Sequence, residues 1–383
     1  MPDSIPSGWK QYCVNDLISY HASGPSPTCD ERQIRDQEWG LLKTTAITWS
    51  GWDATAHKTL PPHYWNQLAL EVHNDDVLVT KAGPRHRVGV VVHVNDNPPP
   101  HLIVSGKMVL LRPRNQLVLP RILASALALK DPQDFLNERT SGMAESQVNF
   151  TNSTLLRTPL TLPSIVEQRR ILEILDAIDK QVERTRDVIL RLQLLLQGIK
   201  IDLADPQPDH APKDWKVAPL GEFIRLQRGF DITVAEQRDG DIPVVSSSGT
   251  TSYHDTAIVA GPGVVTGRKG KLGHVYYLEE SFWPHDTSLW VKEFGSNEPK
   301  FVALLLSMLR LERLDAATSV PTLNRNAVHP MIVAVPNPTE QRRIVKVVES
   351  MEERIRSERA ELSKIEALRT GLIEDLLTGR VRV

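Results

Sequence analysis

The sequence predicts a mixed α+β protein: two globular α/β parts joined by two long helices that form an antiparallel coiled coil, with an internal pseudo-two-fold repeat. Three observations carry that expectation. A long stretch without proline, 167–203, places apolar residues in alternating steps of four and three. A second stretch, 340–376, repeats the pattern from the same opening string EQRRI. The segments between the helices begin alike, with a tryptophan followed by lysine at Trp9 and Trp215.

The first stretch carries Ile171, Leu175, Ile178, Val182, Ile189, Leu192, Leu196, Ile199 and Leu203, with Thr185 in the one polar slot. A period near 3.5 residues makes a narrow apolar seam that needs a partner helix. Glu340 lies 173 residues after Glu167 (340 − 167), and that shift carries the seam onto Ile344, Val348, Met351, Ile355, Leu362, Ile365, Leu372 and Leu376. Glu358, aligned with Thr185, and Arg369 are the exceptions; Gly198 recurs as Gly371. Two seams of matched phase are expected to pack on each other about a pseudo-two-fold axis. The helices then run antiparallel, with the globular parts at opposite ends and the C-terminal end close to Trp9. From Ile171 to Leu203 the stripe would measure ~48 Å at 1.5 Å per residue.

In chain order, the expected divisions are a first globular domain 1–163, a central helix 164–204, a solvated Pro-rich linker 205–214, a second globular domain 215–338 and a C-terminal helix 339–383. Val-rich runs bounded by Gly, Pro and Asn read as strands. They are Val77–Thr80, Val88–Val94 and Met108–Leu111, then Ile258–Val265, His274–Leu278 and Ser288–Val291. Short apolar helices follow near 120–130 and 299–311. A Pro-containing extended run leads into each long helix, which Ser164 or Thr339 is placed to cap. The shift between halves drifts from 206 at the tryptophans (215 − 9) to 173 at the helices, so the first domain holds 33 more residues (206 − 173), expected in loops.

Composition argues against dependence on bulk charge. The formal net charge is −2, and residues 1–163 hold 15 basic and 15 acidic side chains, residues 207–338 13 and 15. A protein held by non-specific phosphate attraction would be basic, so any nucleic-acid contact must be local. Two cysteines, Cys13 and Cys29, give neither a disulfide framework nor a cysteine zinc site. No signal-like leader or membrane span is expected, which points to the cytoplasm.

Catalytic patterns are missing. TGRKGKLG lacks P-loop spacing, and no GxSxG string occurs. His57, His63, His73, His86, His93 and His101 lack metal-ligand spacing and read as ordinary loop or surface residues; no metal is expected. Asn97-Pro98-Pro99-Pro100 resembles the base-flipping motif of adenine methyltransferases, but Pro100 stands where a stacking aromatic is needed, so it reads as a rigid turn.

A basic, Gly-rich loop sits between strands in each half, TKAGPRHRVG with Lys81, Arg85 and Arg87, and TGRKGKLG with Arg268, Lys269 and Lys271. Such clusters are commonly solvated turns. Their recurrence in equivalent places sets contact with DNA phosphate or guanine level with that reading. Thr44 and Thr45, Arg228, and Ser246, Ser247 and Ser248 complete the candidate set.

Taken together, GWK, DWKVAPLGEF with Arg228-Gly229, GVVTGRKGKLGHVYYL, FWPHDTSLWV, VPTLNRNAV, VPNPTEQRRI, and in the first half VLVTKAG, SGKMVLLRP and LTLPSIVEQRRI, resemble the specificity (S) subunits of type I restriction–modification enzymes. The resemblance covers nearly the whole chain. It implies two target recognition domains, each reading one half of a bipartite, asymmetric double-stranded DNA target, with a spacer set by the coiled coil. It implies docking of two modification (methyltransferase) subunits that carry S-adenosylmethionine, and a restriction and translocation subunit that can join. It implies no catalysis, no cofactor and no membrane contact for this chain. Two other readings stand beside it: a self-contained DNA adenine methyltransferase, and a coiled-coil scaffold with no DNA role.

Overall fold

The computed structural model describes residues 5–49, 51–142, 147–314 and 321–383. The chain divides into two compact units, one of residues 1–184 and 362–383, the other of residues 185–361. Each contains one sheet domain and part of each long helix.

The first unit opens with β1 (Lys10–Cys13), α1 (Val14–Leu17) and β2 (Ile18–Ala22). Next come β3 (Gly40–Leu42), β4 (Ile47–Thr48), β5 (Gly51–Trp52), β6 (His57–Thr59), β7 (Val77–Thr80), β8 (Ala82–Gly83), β9 (Val91–His93), β10 (Leu102–Ile103) and β11 (Met108–Pro113). Then follow α2 (Pro120–Leu127), α3 (Lys130–Asn137), β12 (Val148–Asn149), α4 (Asn152–Leu156) and β13 (Pro159–Leu162), before α5 (Ile165–Ala204), which runs on into the second unit. The central sheet is ordered β2-β11-β7-β9, with a second sheet β10-β3-β6 and a ribbon β1-β13. Val77, Val79, Val109 and Leu111 from the central sheet and Ile122 and Leu123 from α2 share one core with Ile171 and Leu175 of α5.

The second unit repeats this order. Its elements are β14 (Lys216–Pro219), β15 (Arg225–Arg228), β16 (Ile242–Ser246), β17 (Gly249–His254), β18 (Gly263–Gly267), β19 (Val275–Leu278), β20 (Trp283–Pro284), β21 (Ser288–Glu293), α6 (Pro299–Met308), α7 (Arg325–Val328), β22 (Ile332–Val335) and α8 (Pro338–Thr378), whose last part lies in the first unit. The sheets are β15-β21-β18-β19, β17-β16-β20 and β14-β22. Register repeats as well: Lys10 pairs with Leu162, and the residues 206 and 173 further on, Lys216 and Val335, also pair.

Every predicted seam residue is turned inward. Ile171, Leu175, Val182, Ile189, Ile344, Val348, Ile355 and Ile365 are buried, and Ile178, Leu192, Leu196, Met351 and Leu362 half-buried. In the first unit, Ile171 and Leu175 meet the core that holds Leu376 and Leu377, and Asp179 accepts Arg369 Nε at 2.5 Å. In the second, Leu196, Ile199 and Leu203 share a core with Ile344 and Val348, and Lys200 pairs with Glu352 at 2.9 Å. Rising numbers on α5 meet falling numbers on α8, so the helices pack antiparallel. Arg369, an exception by hydrophobicity, is thus a cross-helix partner. Thr185 is buried, and Glu358 folds back on Arg354 within its own helix. The C-terminal end returns to the first strand as the repeat requires. Arg382 pairs with Glu167, donates to the Ser7 carbonyl at 2.9 Å and lies 5.8 Å over the Trp9 ring.

Four local expectations are corrected. The strand expected over Ile258–Val265 begins only at Gly263, because Pro262 has no N–H for the ladder. Only Val91–His93 of the expected run 88–94 is strand, since residues 85–87 form a 3-10 turn and Gly89 takes a left-handed φ of 87°. Ser164 does cap α5, accepting the Glu167 N–H at 3.3 Å, but Asn337, not Thr339, caps α8 by accepting the Thr339 and Glu340 N–H groups. The linker is not wholly solvated: Pro206 is buried and its carbonyl takes the Ala334 N–H at 2.9 Å.

Candidate nucleic-acid interface

The basic loop of the second domain leaves β18 through Gly267. A Cβ there would lie 1.7 Å from the Lys271 carbonyl oxygen, so only glycine lets the loop fold back on itself. Arg268 and Lys269 donate their N–H groups to the Thr287 carbonyl at 2.8 and 3.0 Å. On the other side Gly270 donates to Pro321 and Leu323 donates to the Arg268 carbonyl. Main-chain bonds therefore hold the loop, leaving the Lys269 and Lys271 side chains outside the fastening. Lys269 and Lys271 are exposed and Arg268 half-buried.

Residues Asp286 and Thr287, between β20 and β21, form the hub. Arg228 on β15 reaches the Asp286 carboxylate at 2.9 Å, and Arg268 Nη1 reaches the Asp286 carbonyl at 3.1 Å. The Thr287 hydroxyl meets His285 Nδ1 at 2.9 Å and accepts the Ser247 N–H at 3.4 Å. Arg228, Ser247, Arg268 and Lys269 are thereby brought together. The three serines differ in fate. Ser246 closes the β16–β17 turn by accepting the Ser248 N–H, Ser247 is buried, and Ser248 alone is exposed. Asp286 and Thr287 were not among the expected contact residues; their signal was the HDT string directly before the strand SLWVKE.

The first domain is built on the same fastening. Lys81 and Ala82 donate to the Lys107 carbonyl at 2.9 and 3.3 Å, and Phe150 donates to the Lys81 carbonyl at 3.1 Å. These stand in the places of Arg268, Lys269, Thr287 and Leu323. The side chain of Lys81, however, turns inward, its amine bonded to Ser23 Oγ and Asn152 Oδ1 at 2.9 Å. Burial holds its pKa below the ordinary lysine value. It is a fold residue, whereas Arg85 is exposed and Arg87 half-buried. Arg87 Nη1 lies 3.4 Å from the Thr44 carbonyl, which joins the loop to the 3-10 turn of Thr44, Thr45 and Ala46, with Thr45 exposed.

His57 is not the loop or surface residue expected. It is 7% exposed in β6, where Nε2 accepts the Ile34 N–H and Nδ1 faces the Ala54 carbonyl. Among the described residues, Asp231, His285 and Asp286 bring potential metal donors within 4.8 Å of one another. Asp286 is already committed to Arg228. A cleft of about 840 Å³ in the second unit, lined by Lys200, Tyr277, Lys300, Glu349, Glu352 and Arg356 among others, mixes both charges, and its Ser307 and Ser350 hydroxyls donate to the Leu304 and Val347 carbonyls.

Each half thus carries a sheet domain whose basic loop is fastened by its main chain, and each packs on parts of the two long helices. Residues 63–193 and 212–367 match the family described as the type I restriction modification DNA specificity domain, and the chain belongs to that family. The specificity subunit of the type I restriction enzyme EcoEI from Escherichia coli is 30% identical over 211 residues, 55% of this chain; the match spans 35% of that protein's length. Two solved structures share the fold. A chain from a study of complex assembly and conformational transition of the type I R-M system gives a TM-score of 0.67 at 15% identity, covering 99% of this chain and 100% of that one. The S subunit from M. genitalium gives 0.55 at 17% identity over 98% of each chain. Among the described residues, no helix is long and apolar enough to cross a membrane.

Proposed function

We propose that this chain is the DNA sequence-specificity subunit of a type I restriction–modification complex. Domains 1–163 and 215–338 each read one half of a bipartite, asymmetric double-stranded target. The helices 164–204 and 339–383, with the linker 205–214, hold the two readers and fix the gap between half-sites. The carrying observation is the duplicated loop fastening, conserved in main-chain bonds and different in side chains: Arg85, Arg87 and Thr45 on one domain, Arg228, Ser248, Arg268, Lys269 and Lys271 on the other. Fixed backbone geometry with variable tips is what two readers of different sequences need.

In this reading the chain is not an enzyme and binds no cofactor. Two modification subunits dock on it and supply S-adenosylmethionine, a restriction subunit can join them, and the complex works in the cytoplasm. Near-balanced charge fits a subunit whose partners provide most phosphate contacts. The test is to produce the chain together with a type I modification subunit and map methylated adenines on genomic DNA. Two short motifs at a constant gap are expected. Adenine methylation or S-adenosylmethionine binding by the purified chain alone would favour the self-contained methyltransferase. A complex with no sequence preference would leave the scaffold.

A further inference from the structure

The two domains differ most informatively between two matching strands. β3 and β6 of the first correspond to β16 and β17 of the second: each pair is antiparallel, and β10 and β20 lie parallel beside β3 and β16. In the second domain Ser246 pairs with Gly249, so only Ser247 and Ser248 lie between. In the first, Leu42 pairs with His57, and residues 43–56 fill the same place, fourteen where the other has two. The extra chain is a built element. Ala46 and Ile47 root it in the core with 0% and 1% exposure. Ile47 pairs with Trp52, and the Trp52 indole N–H is bonded to Asp96 at 2.6 Å.

At the tip of that hairpin stands Trp49, 56% exposed. The rooted strands do not need it, since Ile47 and Trp52 on either side make the packing. The same insert carries Thr45, and Arg87 ties its start to the basic loop that carries Arg85. A large rigid, exposed aromatic on the same insert as an exposed threonine, with that insert tied to a basic loop, suits a base-reading surface, with arginine for phosphate or guanine and an apolar face for the thymine methyl.

We propose that Trp49 is a specificity-determining residue, making apolar contact with base edges in the major groove of the half-site read by the first domain. This rests on the DNA-reading function proposed above. The insert occupies the position of Ser247–Ser248, so the two half-sites are read from one topological place by different chemistry.

The test uses Trp49→Ala, Trp49→Phe and, as a companion, Arg268→Ala, each produced with the modification subunit and offered a pool of randomised duplex DNA. Methylated products are sequenced. Trp49→Ala is expected to relax selectivity roughly ten-fold at one or two adjacent base pairs of one half-site. That half-site differs from the one altered by Arg268→Ala; the gap is unchanged, and Trp49→Phe recovers part of the loss. Identical selectivity in Trp49→Ala and the unsubstituted complex overturns the proposal. So does weaker retention of the modification subunit on size exclusion while the methylation that remains keeps both motifs unchanged, which would make Trp49 a protein contact. An unsubstituted complex without sequence preference removes the DNA-reading function itself and the proposal with it.

Discussion

Gln168 and Gln341, 173 residues apart, are both fully buried and do the same work. Gln168 donates to the Leu117 and Pro163 carbonyls and accepts the Leu119 N–H just before α2. Gln341 donates to Asn297 Oδ1 and the Pro336 carbonyl and accepts the Glu298 N–H just before α6. Each amide stitches a long helix to the start of a domain helix. Removing it strands buried partners, so Gln341→Ala is expected to cost about 1–3 kcal/mol, read as a lower urea midpoint. Gln341→Glu should not rescue, because a carboxylate only accepts and would face the Asn297 and Pro336 oxygens without a proton to donate. His329 offers a pH test. Its Nε2 accepts the Leu226 N–H at 2.9 Å, and burial, aided by Arg225 and Arg325, pushes its pKa down. The folded state resists a proton that the unfolded chain accepts near pH ~6.5. Its stabilisation is therefore complete above that pH and is lost as pH falls through and below it. Thermal melts between about pH 7.5 and 5 should show a steeper decline for the natural chain than for His329→Gln.

At the scale of elements, a second repeated fastening joins domain to helix. Arg121, next to the proline that opens α2, pairs with Asp176 of α5; Lys300, next to the proline that opens α6, pairs with Glu349 of α8 at 2.6 Å. Asp176 and Glu349 are again 173 apart. The helices and their phase were legible in the sequence because an apolar period is a property of one strand of text. These cross-element partners were not, because they join residues 49 to 55 positions apart with no local signature. For the same reason Lys81 read as a surface base: whether a lysine amine turns out to water or in to Ser23 and Asn152 depends on chain that packs later. The recurring Gly198 and Gly371 invite the opposite caution. Neither faces an atom within 4 Å of an added Cβ, so close packing does not require glycine there. Ala at either site is expected to stabilise by about 0.5–1 kcal/mol, since helical glycine loses more backbone freedom on folding. A fall in the urea midpoint of Gly198→Ala or Gly371→Ala would mean that helix flexibility is being used.

For the whole molecule, the proposed function makes the paired helices a gauge. Seven residues inserted into each, at matching places, preserve the seam phase and add ~10.5 Å at 1.5 Å per residue. At ~3.4 Å per base pair the unread gap should widen by about three base pairs while both half-motifs persist. An unchanged gap on methylation mapping would separate spacing from helix length. The duplication itself was readable, from two tryptophans and two EQRRI strings, as was the greater length of the first domain. What those loops contain was not, because an insert such as residues 43–56 has no counterpart to be compared with.

The loop fastening has an evolutionary consequence. Its donors at Lys81, Ala82, Arg268 and Lys269 are peptide N–H groups, which every amino acid except proline supplies. Under the proposed function, the exposed side chains of Lys269 and Lys271 can be exchanged, and target preference with them, while the peptide bonds that hold the loop persist; Lys81, whose amine also anchors Ser23 and Asn152, has no such freedom.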